Sequence, residues 1–463
     1  MTRPAAAPKT HAPNLDELSM LLADGSRSTI HPSDVKGPWQ RFKLRIWVVL
    51  IAIYLAIPWI RINGHPAILI DIPKRQFFLF GATFNAQDFW MMVFVVLGVG
   101  LGLIIVSATY GRAWCGFGCP QTVFLEGVYR RIERLFDGNH VQRRALAASK
   151  WNLNKTLRRF GKWLTWLAIS LVLSHTFLSY FMPIRTLLEA ITSPPSVHPA
   201  AFTFILLATA IIYFNFAWFR EQLCIVICPY GRLQSVLYDK DTVQVAYDDV
   251  RGEPRGRFSD KDRGACVDCK HCVAVCPTGI DIRNGTQLEC VGCTNCIDAC
   301  DAVMEKIGQP KGLVRFASQG EIHGEARRVI RPRTILYSIV WVVLLGAFIT
   351  AVSTRKSFEA KLLRQQGTPI TRVEGKVQNA FMLHVVNKAA EKKSFDIRIT
   401  PIPGVEVTQP IPHVDLEGFG DVRTPIFARF EASEIDRNQQ FEITIDDGEA
   451  PRTVRQELIG GKR

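Results

Sequence analysis

At 463 residues the chain is too long for one simple domain. A net charge of +14 suits nucleic-acid binding, but the basic residues concentrate beside apolar blocks, the pattern of the positive-inside rule, so no nucleic-acid role is expected. The 12 cysteines fall into groups of repeated spacing and none is left for a disulfide in the C-terminal hundred residues; a disulfide framework is further disfavoured by the cytoplasmic placement of the cysteine segment expected below.

Residues 1–40 are polar, with scattered proline and basic residues, and read as a flexible cytoplasmic tail. The first apolar run begins near Ile46, too far in for a signal peptide. Five stretches are apolar enough to cross a bilayer: 44–62, 88–110, 163–183, 199–219 and 334–353. Spans this long and this free of charge argue against buried helices of a soluble core. Gly98 and Gly102 in the second form a small-xxx-small face suited to close helix packing. Loop 184–198 carries only Arg185 and loop 63–87 only Lys74 and Arg75, whereas segments 111–162 and 220–333 are rich in Lys and Arg. That bias puts the N-terminus and segment 220–333 in the cytoplasm and the C-terminus outside.

The second span runs into Cys115-Gly-Phe-Gly-Cys119-Pro120 and the fourth into Cys224-Ile-Val-Ile-Cys228-Pro229. Both are C-x3-C-P at a cytoplasmic helix end, so spans one–two and three–four read as a diverged internal repeat. On a helix the two cysteines of each motif share a face, and the proline helps end the helix. Cys115, Cys119, Cys224 and Cys228 are therefore candidate catalytic residues. Four such thiolates suit a soft metal, Cu(I) above all; redox disulfides and a third iron–sulfur cluster are the alternatives. Plain packing of small buried cysteines does not account for one spacing, one proline and one depth occurring twice. Segments 121–136 and 229–238 are amphipathic and basic, as expected of helices lying on a bilayer surface. His175, inside the third span, is a functional candidate by its depth, although a lone histidine there is more often hydrogen-bonded within the bundle; Met91, Met92, Met182, His65 and His198, in or near the outer half, could pass copper, but methionines at span ends are usually packing.

From Cys266 to Cys300 the chain reads CVDCKHCVAVCP and then CVGCTNCIDACD. Each half is C-x2-C-x2-C-x3-C, the spacing of two-cluster ferredoxins, in which the fourth cysteine of one run ligates the other cluster. Cys266, Cys269, Cys272 and Cys300 are expected to hold one [4Fe–4S] cluster, and Cys290, Cys293, Cys296 and Cys276 the second. Structural zinc is the competing use of C-x2-C pairs, but zinc folds separate their ligand pairs by longer loops.

Beyond residue 354, alternating runs such as Phe395–Ile399 and Phe441–Ile445, separated by turns at Pro403-Gly404 and Asp446-Asp447-Gly448, read as half-buried strands of an immunoglobulin-like sandwich without a disulfide. The expected architecture is an α-helical bundle of five transmembrane helices with a cytoplasmic dicluster ferredoxin module (α+β) and a C-terminal all-β immunoglobulin-like sandwich. The expected boundaries are 1–40 for the tail, 41–230 for four spans and 231–333 for the ferredoxin module. The fifth span takes 334–353 and a periplasmic sandwich 354–463.

Together these features resemble the CcoG family of cytochrome c oxidase accessory proteins, also called FixG or RdxA. The resemblance covers nearly the whole chain beyond residue 40 and is carried by Asp71–Phe77, Trp114–Gln121 and Cys290–Met304. It implies a bacterial inner-membrane protein that reduces Cu(II) to Cu(I) for assembly of a cbb-type oxidase. Oxidase subunits or copper chaperones would be its partners, and a homodimer is allowed. The membrane half is also similar to NapH-type polyferredoxins of nitrate respiration, so a quinone-linked relay is the second expectation and a non-catalytic assembly scaffold the third. With no glycine-rich dinucleotide fingerprint and no P-loop, the electrons must come from an external donor.

Overall fold

The computed structural model describes residues 30–460 apart from 63, 64, 86, 87, 366–369, 374, 390, 410, 434 and 436–438. The chain forms two compact units, one of residues up to 69 with 94–346, the other of 70–93 with 347–463. Of the expected flexible tail, 1–29 lie outside the described residues. Residues 32–34 are pinned: Ser33 N–H donates to the Ala274 carbonyl at 2.8 Å, Arg143 to the Pro32 carbonyl at 2.9 Å, and Asp34 pairs with Arg134 at 2.7 Å.

The helices that matter here are α1 (Pro38–Ala56), α2 (Met91–Tyr110), α3 (Leu153–Leu178), α4 (Pro199–Phe214), α5 (Pro229–Leu237), α6 (Asn295–Lys306) and α7 (Pro332–Ser353). Among the described residues four helices are long and apolar enough to cross a membrane: Pro38–Trp59, Met91–Tyr110, Pro199–Phe219 and Pro332–Ser353. The remaining expected stretch, 163–183, falls on the second half of α3 and is not one of the four. The reason is a polar stripe satisfied inside the bundle. Ser170 and Ser174 bond their own helix carbonyls at 2.8 Å, Tyr129 OH meets Ser170 at 2.7 Å, and Thr209 of α4 donates to Ser174 at 3.0 Å. His175 likewise bonds the Leu171 carbonyl of its own helix.

The glycine face of α2 is covered by an indole rather than by a helix backbone. Trp341 of α7 donates to the Gly98 carbonyl at 2.9 Å, and a Cβ on Gly102 would stand 3.5 Å from the same indole nitrogen. α2 and α7 also meet at the motif end, where Arg331 donates to the Ala108 carbonyl at 2.6 Å.

Segment 125–137 does not lie on a surface by its charged face. Arg130 and Glu133 are buried; Arg130 pairs with Glu126 at 3.1 Å and with Glu221, and Glu133 with Arg220 at 3.2 Å. Burial alone would raise the Glu133 carboxyl, but Arg220, Lys162 and Arg130 outweigh it and hold the group down at about 2. The two C-x3-C-P repeats are thus locked to each other by paired buried charges, reinforced by Asn215 donating to Gln121 at 2.7 Å.

The ferredoxin-like portion hangs on an antiparallel pair, β3 (Gln244–Tyr247) with β4 (Val314–Ala317), numbered after a 76–84 hairpin of β1 (Gln76–Leu79) and β2 (Ala82–Phe84). Tyr247, Ile282, Ile297, Met304, Leu313 and Val314 form its core. α6 also caps α1. Gly37 at the N-cap offers no side chain, so Asp298 accepts the Trp39 and Gln40 N–H groups at 3.2 and 2.9 Å.

In the other unit two sheets pack face to face. The strands are β5 (Phe358–Arg364), β6 (Ile370–Val373), β7 (Lys376–Asn387), β8 (Lys393–Ile399), β9 (Val405–Thr408), β10 (His413–Leu416), β11 (Asp421–Phe430), β12 (Gln440–Asp446) and β13 (Arg452–Glu457). One sheet runs β9-β11-β7-β5 with β6 also on β7; the other runs β10-β8-β12-β13. Alternate residues point inward, so Leu383, Phe395, Ile426, Phe441 and Ile443 make a closed core with no cysteine. Asp88, just before α2, is 2.8 Å from Arg355, just after α7, and 2.9 Å from Lys388.

Candidate metal centres

The two cysteine runs wrap in the same way. In each, the residue before the second cysteine and the residue after it have positive φ: Asp268 (49°) and Lys270 (54°) around Cys269, Gly292 (64°) and Thr294 (61°) around Cys293. Left-handed backbone is costly for a β-branched residue such as Thr294 and persists where surroundings impose it. Its effect is to turn consecutive N–H groups inward as an anion-holding nest. Thr278 and Ile280 N–H groups face the Cys276 sulfur, Gly292 faces Cys290, and Asn295 faces Cys293.

The fourth cysteines cross over. Cys276, Cys290, Cys293 and Cys296 line one small cavity together with Cys272, and Val245, Ile280, Ile282 and Val291 form its apolar walls. Cys300 instead neighbours Cys272, Cys269 and Cys266. Burial pushes the thiols up, Cys272 and Cys293 to about 11 and Cys300 to about 12, with neighbouring sulfurs adding to the rise at Cys293 and Cys300. Such thiols give up their protons only to a strongly bound cation. Cys269 alone of the eight is exposed. Four sulfurs around an apolar-walled cavity, with N–H groups aimed at them, fit an iron–sulfur cluster. Among the described residues no group of three or more His, Cys, Asp or Glu side chains is arranged to hold a single metal ion.

The two C-x3-C-P motifs also repeat one backbone shape. The residue four before the first cysteine has a positive φ in both, Gly111 at 54° and Arg220 at 52°. The second cysteine is extended, and its N–H donates five residues back at 2.8 Å, Cys119 to Trp114 and Cys228 to Leu223. Each proline then opens a new helix, so the paired cysteines sit on a short turn and a helix cap rather than on one helix face. Burial raises the Cys115 thiol to about 11, and also raises Cys119 and Cys224, with sulfurs of the other motif contributing to each. Gln234 of α5 ties the motifs together: fully buried, its amide nitrogen lies 3.4 Å from the Cys115 sulfur, while α5 itself starts at Pro229 beside Cys228.

Residues 111–119 pack directly on the second cysteine run. A Cβ on Gly116 would run into the Gly292 carbonyl, and one on Gly292 would stand 2.8 Å from the Arg112 carbonyl. Arg112 donates to the Cys290 carbonyl at 2.6 Å and to the Gly231 carbonyl at 2.9 Å. Lys43 of α1 donates to the Cys293 carbonyl and, at 3.3 Å, to Asn295. Sequence reading missed Lys43, Arg112, Gly116 and Gln234. The two cations look there like topology signals, and only the fold brings them to the cluster run.

Residues 219–319 match the family model of a 4Fe-4S dicluster domain, residues 91–139 that of a 4Fe-4S binding domain, and residues 348–459 the IG-like fold at the C-terminal of FixG. The protein RdxA of Cereibacter sphaeroides is 35% identical over 417 residues, with 87% of each chain covered. The nitrogen fixation protein FixG of Rhizobium meliloti is 33% identical over 421 residues, covering 81% of this chain and 80% of its own. RdxB of Cereibacter sphaeroides is 34% identical over 394 residues, covering 81% and 82%. The chain belongs to the FixG/RdxA family. It is an iron–sulfur electron-transfer protein with apolar membrane helices and the C-terminal Ig-like domain of that family. Within the family frame the match over 91–139 is informative, because the only cysteines in that range are Cys115 and Cys119.

Proposed function

We propose that this protein passes electrons through two [4Fe–4S] clusters to the four thiols of its C-x3-C-P motifs, where Cu(II) is reduced to Cu(I) for assembly of a cbb-type cytochrome c oxidase. The first cluster is assigned to Cys266, Cys269, Cys272 and Cys300, the second to Cys276, Cys290, Cys293 and Cys296. Bound there, the clusters supply one-electron storage and transfer. The single observation that carries the reading is the backbone contact of Gly116 with Gly292, which sets the Cys115–Cys119 motif directly against the second cysteine run. Exposed Cys269 marks the side open to a soluble donor. Cys115, Cys119, Cys224 and Cys228 offer soft sulfur donors that favour Cu(I) over Cu(II), so each Cu(II) taken up consumes one electron from the relay. Copper, the oxidase and its chaperones come from the family resemblance.

The same reading makes the protein an inner-membrane protein of five spans, with the cysteines on the cytoplasmic face and the sandwich in the periplasm. Basic residues crowd the cysteine side, as the positive-inside rule requires. The fifth span is α3, whose polar stripe is met by Tyr129 and Thr209 rather than by lipid.

The match of 91–139 to a 4Fe-4S binding domain favours a second reading, in which the four motif thiols hold a third cluster. One experiment separates the two. The full-length protein is purified anaerobically in detergent with its iron counted, reduced, freed of reductant and mixed with Cu(II) in a stopped flow. Cys115→Ala with Cys224→Ala is expected to slow copper-driven recovery of the cluster absorbance at least tenfold with iron unchanged. Iron lost from the variant supports the third cluster. Unchanged copper kinetics removes the thiols from the reaction, and wild-type clusters that reoxidise with quinone but not copper make the protein a quinone-linked relay.

A further inference from the structure

Lys43 and Arg112 are the two cations that the membrane portion delivers to the second cysteine run. Lys43 is 1% exposed and Arg112 7%. Each donates to the backbone carbonyl of a cysteine in the same set, Lys43 to Cys293 and Arg112 to Cys290. The carboxylates near Lys43 are committed elsewhere, Glu126 to Arg130 at 3.1 Å and Asp298 to the Trp39 and Gln40 N–H groups. Arg112 donates to the Cys290 and Gly231 carbonyls and hydrogen-bonds the Tyr238 side chain, and among the described residues it has no ion pair. Buried cations without a facing carboxylate are strongly unfavourable unless another anion is present. The first cysteine set has no such surplus: Arg283 near Cys272 is matched by Asp268 at 2.5 Å and Asp281 at 2.6 Å, and Cys269 reaches solvent.

We propose that Lys43 and Arg112 set the reduction potential of the cluster held by Cys276, Cys290, Cys293 and Cys296, raising it against the burial that would otherwise depress it. This rests on the cluster assignment above. Four thiolates would outweigh the small net positive charge of the iron–sulfide core, so the assembled site would be an anion, and reduction would add one more negative charge. Taking that charge into an apolar-walled cavity is costly, and two fixed cations at the ligand carbonyls offset the cost in a low dielectric. Because both cations come from the membrane portion, the cluster is tuned only while the ferredoxin-like portion is docked on α1 and the 111–119 turn.

The test is a potentiometric titration of full-length protein in detergent, followed by the EPR signals of the reduced clusters. Wild type is expected to give two reduction waves. Lys43→Met and Arg112→Gln are each expected to lower the midpoint of the same single wave with iron content unchanged, while Lys43→Arg, which keeps the charge, leaves it near wild type. Two unmoved waves with full iron overturn the proposal. Iron lost from both neutral variants also overturns it, since the residues then serve docking alone. A wild type with fewer than two clusters' worth of iron refutes the cluster assignment instead.

Discussion

Gly116 and Gly292 are small for different reasons, and both reasons concern the same seam. Gly292 needs its positive φ and the absence of a Cβ beside the Arg112 carbonyl. Gly116 has ordinary helical backbone, so alanine there is not strained by conformation; it is refused by the Gly292 carbonyl. Backbone cannot swing aside as a long side chain can, so the two loops must part. Gly116→Ala is therefore expected to cost about 1–3 kcal/mol, the usual range for overpacking, and to separate the motif thiols from the second cysteine run. The check is hydrogen exchange at residues 290–296, which should speed up, together with slower cluster reoxidation by copper. Gly98→Ala is the control, since a Cβ there meets nothing within 4 Å. Protection at 290–296 that does not change in Gly116→Ala would show the seam to be slack.

At the level of elements, what could be read ahead was what repeats. The alternation of Phe395, Ile397 and Ile399 and of Phe441, Ile443 and Ile445 announces strands with one buried face, and these residues do line the sandwich core. The cysteine spacings announce the ligand runs because ligation itself fixes the spacing. What could not be read is pairing between distant residues. Nothing in the sequence says that Asp298 caps a helix that starts 260 residues earlier, or that Glu133 and Arg130 turn inward because Arg220 and Glu221 arrive from the other repeat. The Asp446–Gly448 turn was legible as a turn but not as a lock. There Asp447 accepts from Ser357 at 2.6 Å, Lys393 at 3.1 Å and the N–H groups of Glu449 and Ala450. Burial would raise this carboxyl, but those donors outweigh it and hold it at about 2 against an ordinary 3.8. A depressed carboxyl contributes stability that is complete above pH 4 and is lost as pH falls through 2. At neutral pH the contribution is at most about 2 kcal/mol. Amide exchange along Phe441–Ile445, corrected for the intrinsic pH dependence, should lose protection between pH 4 and 2 in the wild type. In Asp447→Asn it should be reduced already at pH 7 and flat below. A wild-type profile parallel to that of Asp447→Asn would remove the carboxylate as the cause.

The number of membrane crossings is a question of parity for the whole chain. Arg331, just before α7, holds the Ala108 carbonyl near the end of α2, so both helix ends lie on one face. Asp88, just before α2, pairs with Arg355, just after α7, so their other ends share the opposite face. On the proposed membrane reading the chain between Tyr110 and Pro332 returns to the face it left, which takes an even number of crossings. α4 is one; composition offers no other, and α3 is the only further helix long enough, 26 residues giving about 39 Å at 1.5 Å per residue. On the five-span reading proposed above, the 193–198 loop between α3 and α4 lies on the membrane face opposite the cysteine motifs. A cysteine at exposed Ser196 decides it, and the native cysteines do not interfere if they sit on the opposite face. In intact cells whose outer membrane has been made permeable, a membrane-impermeant maleimide should label Ser196→Cys and Glu417→Cys alike, and should label Lys150→Cys only after the inner membrane is opened. If Ser196→Cys instead behaves like Lys150→Cys, α3 lies on the cysteine side, the parity fails, and the two end contacts of α2 and α7 cannot both hold in the bilayer.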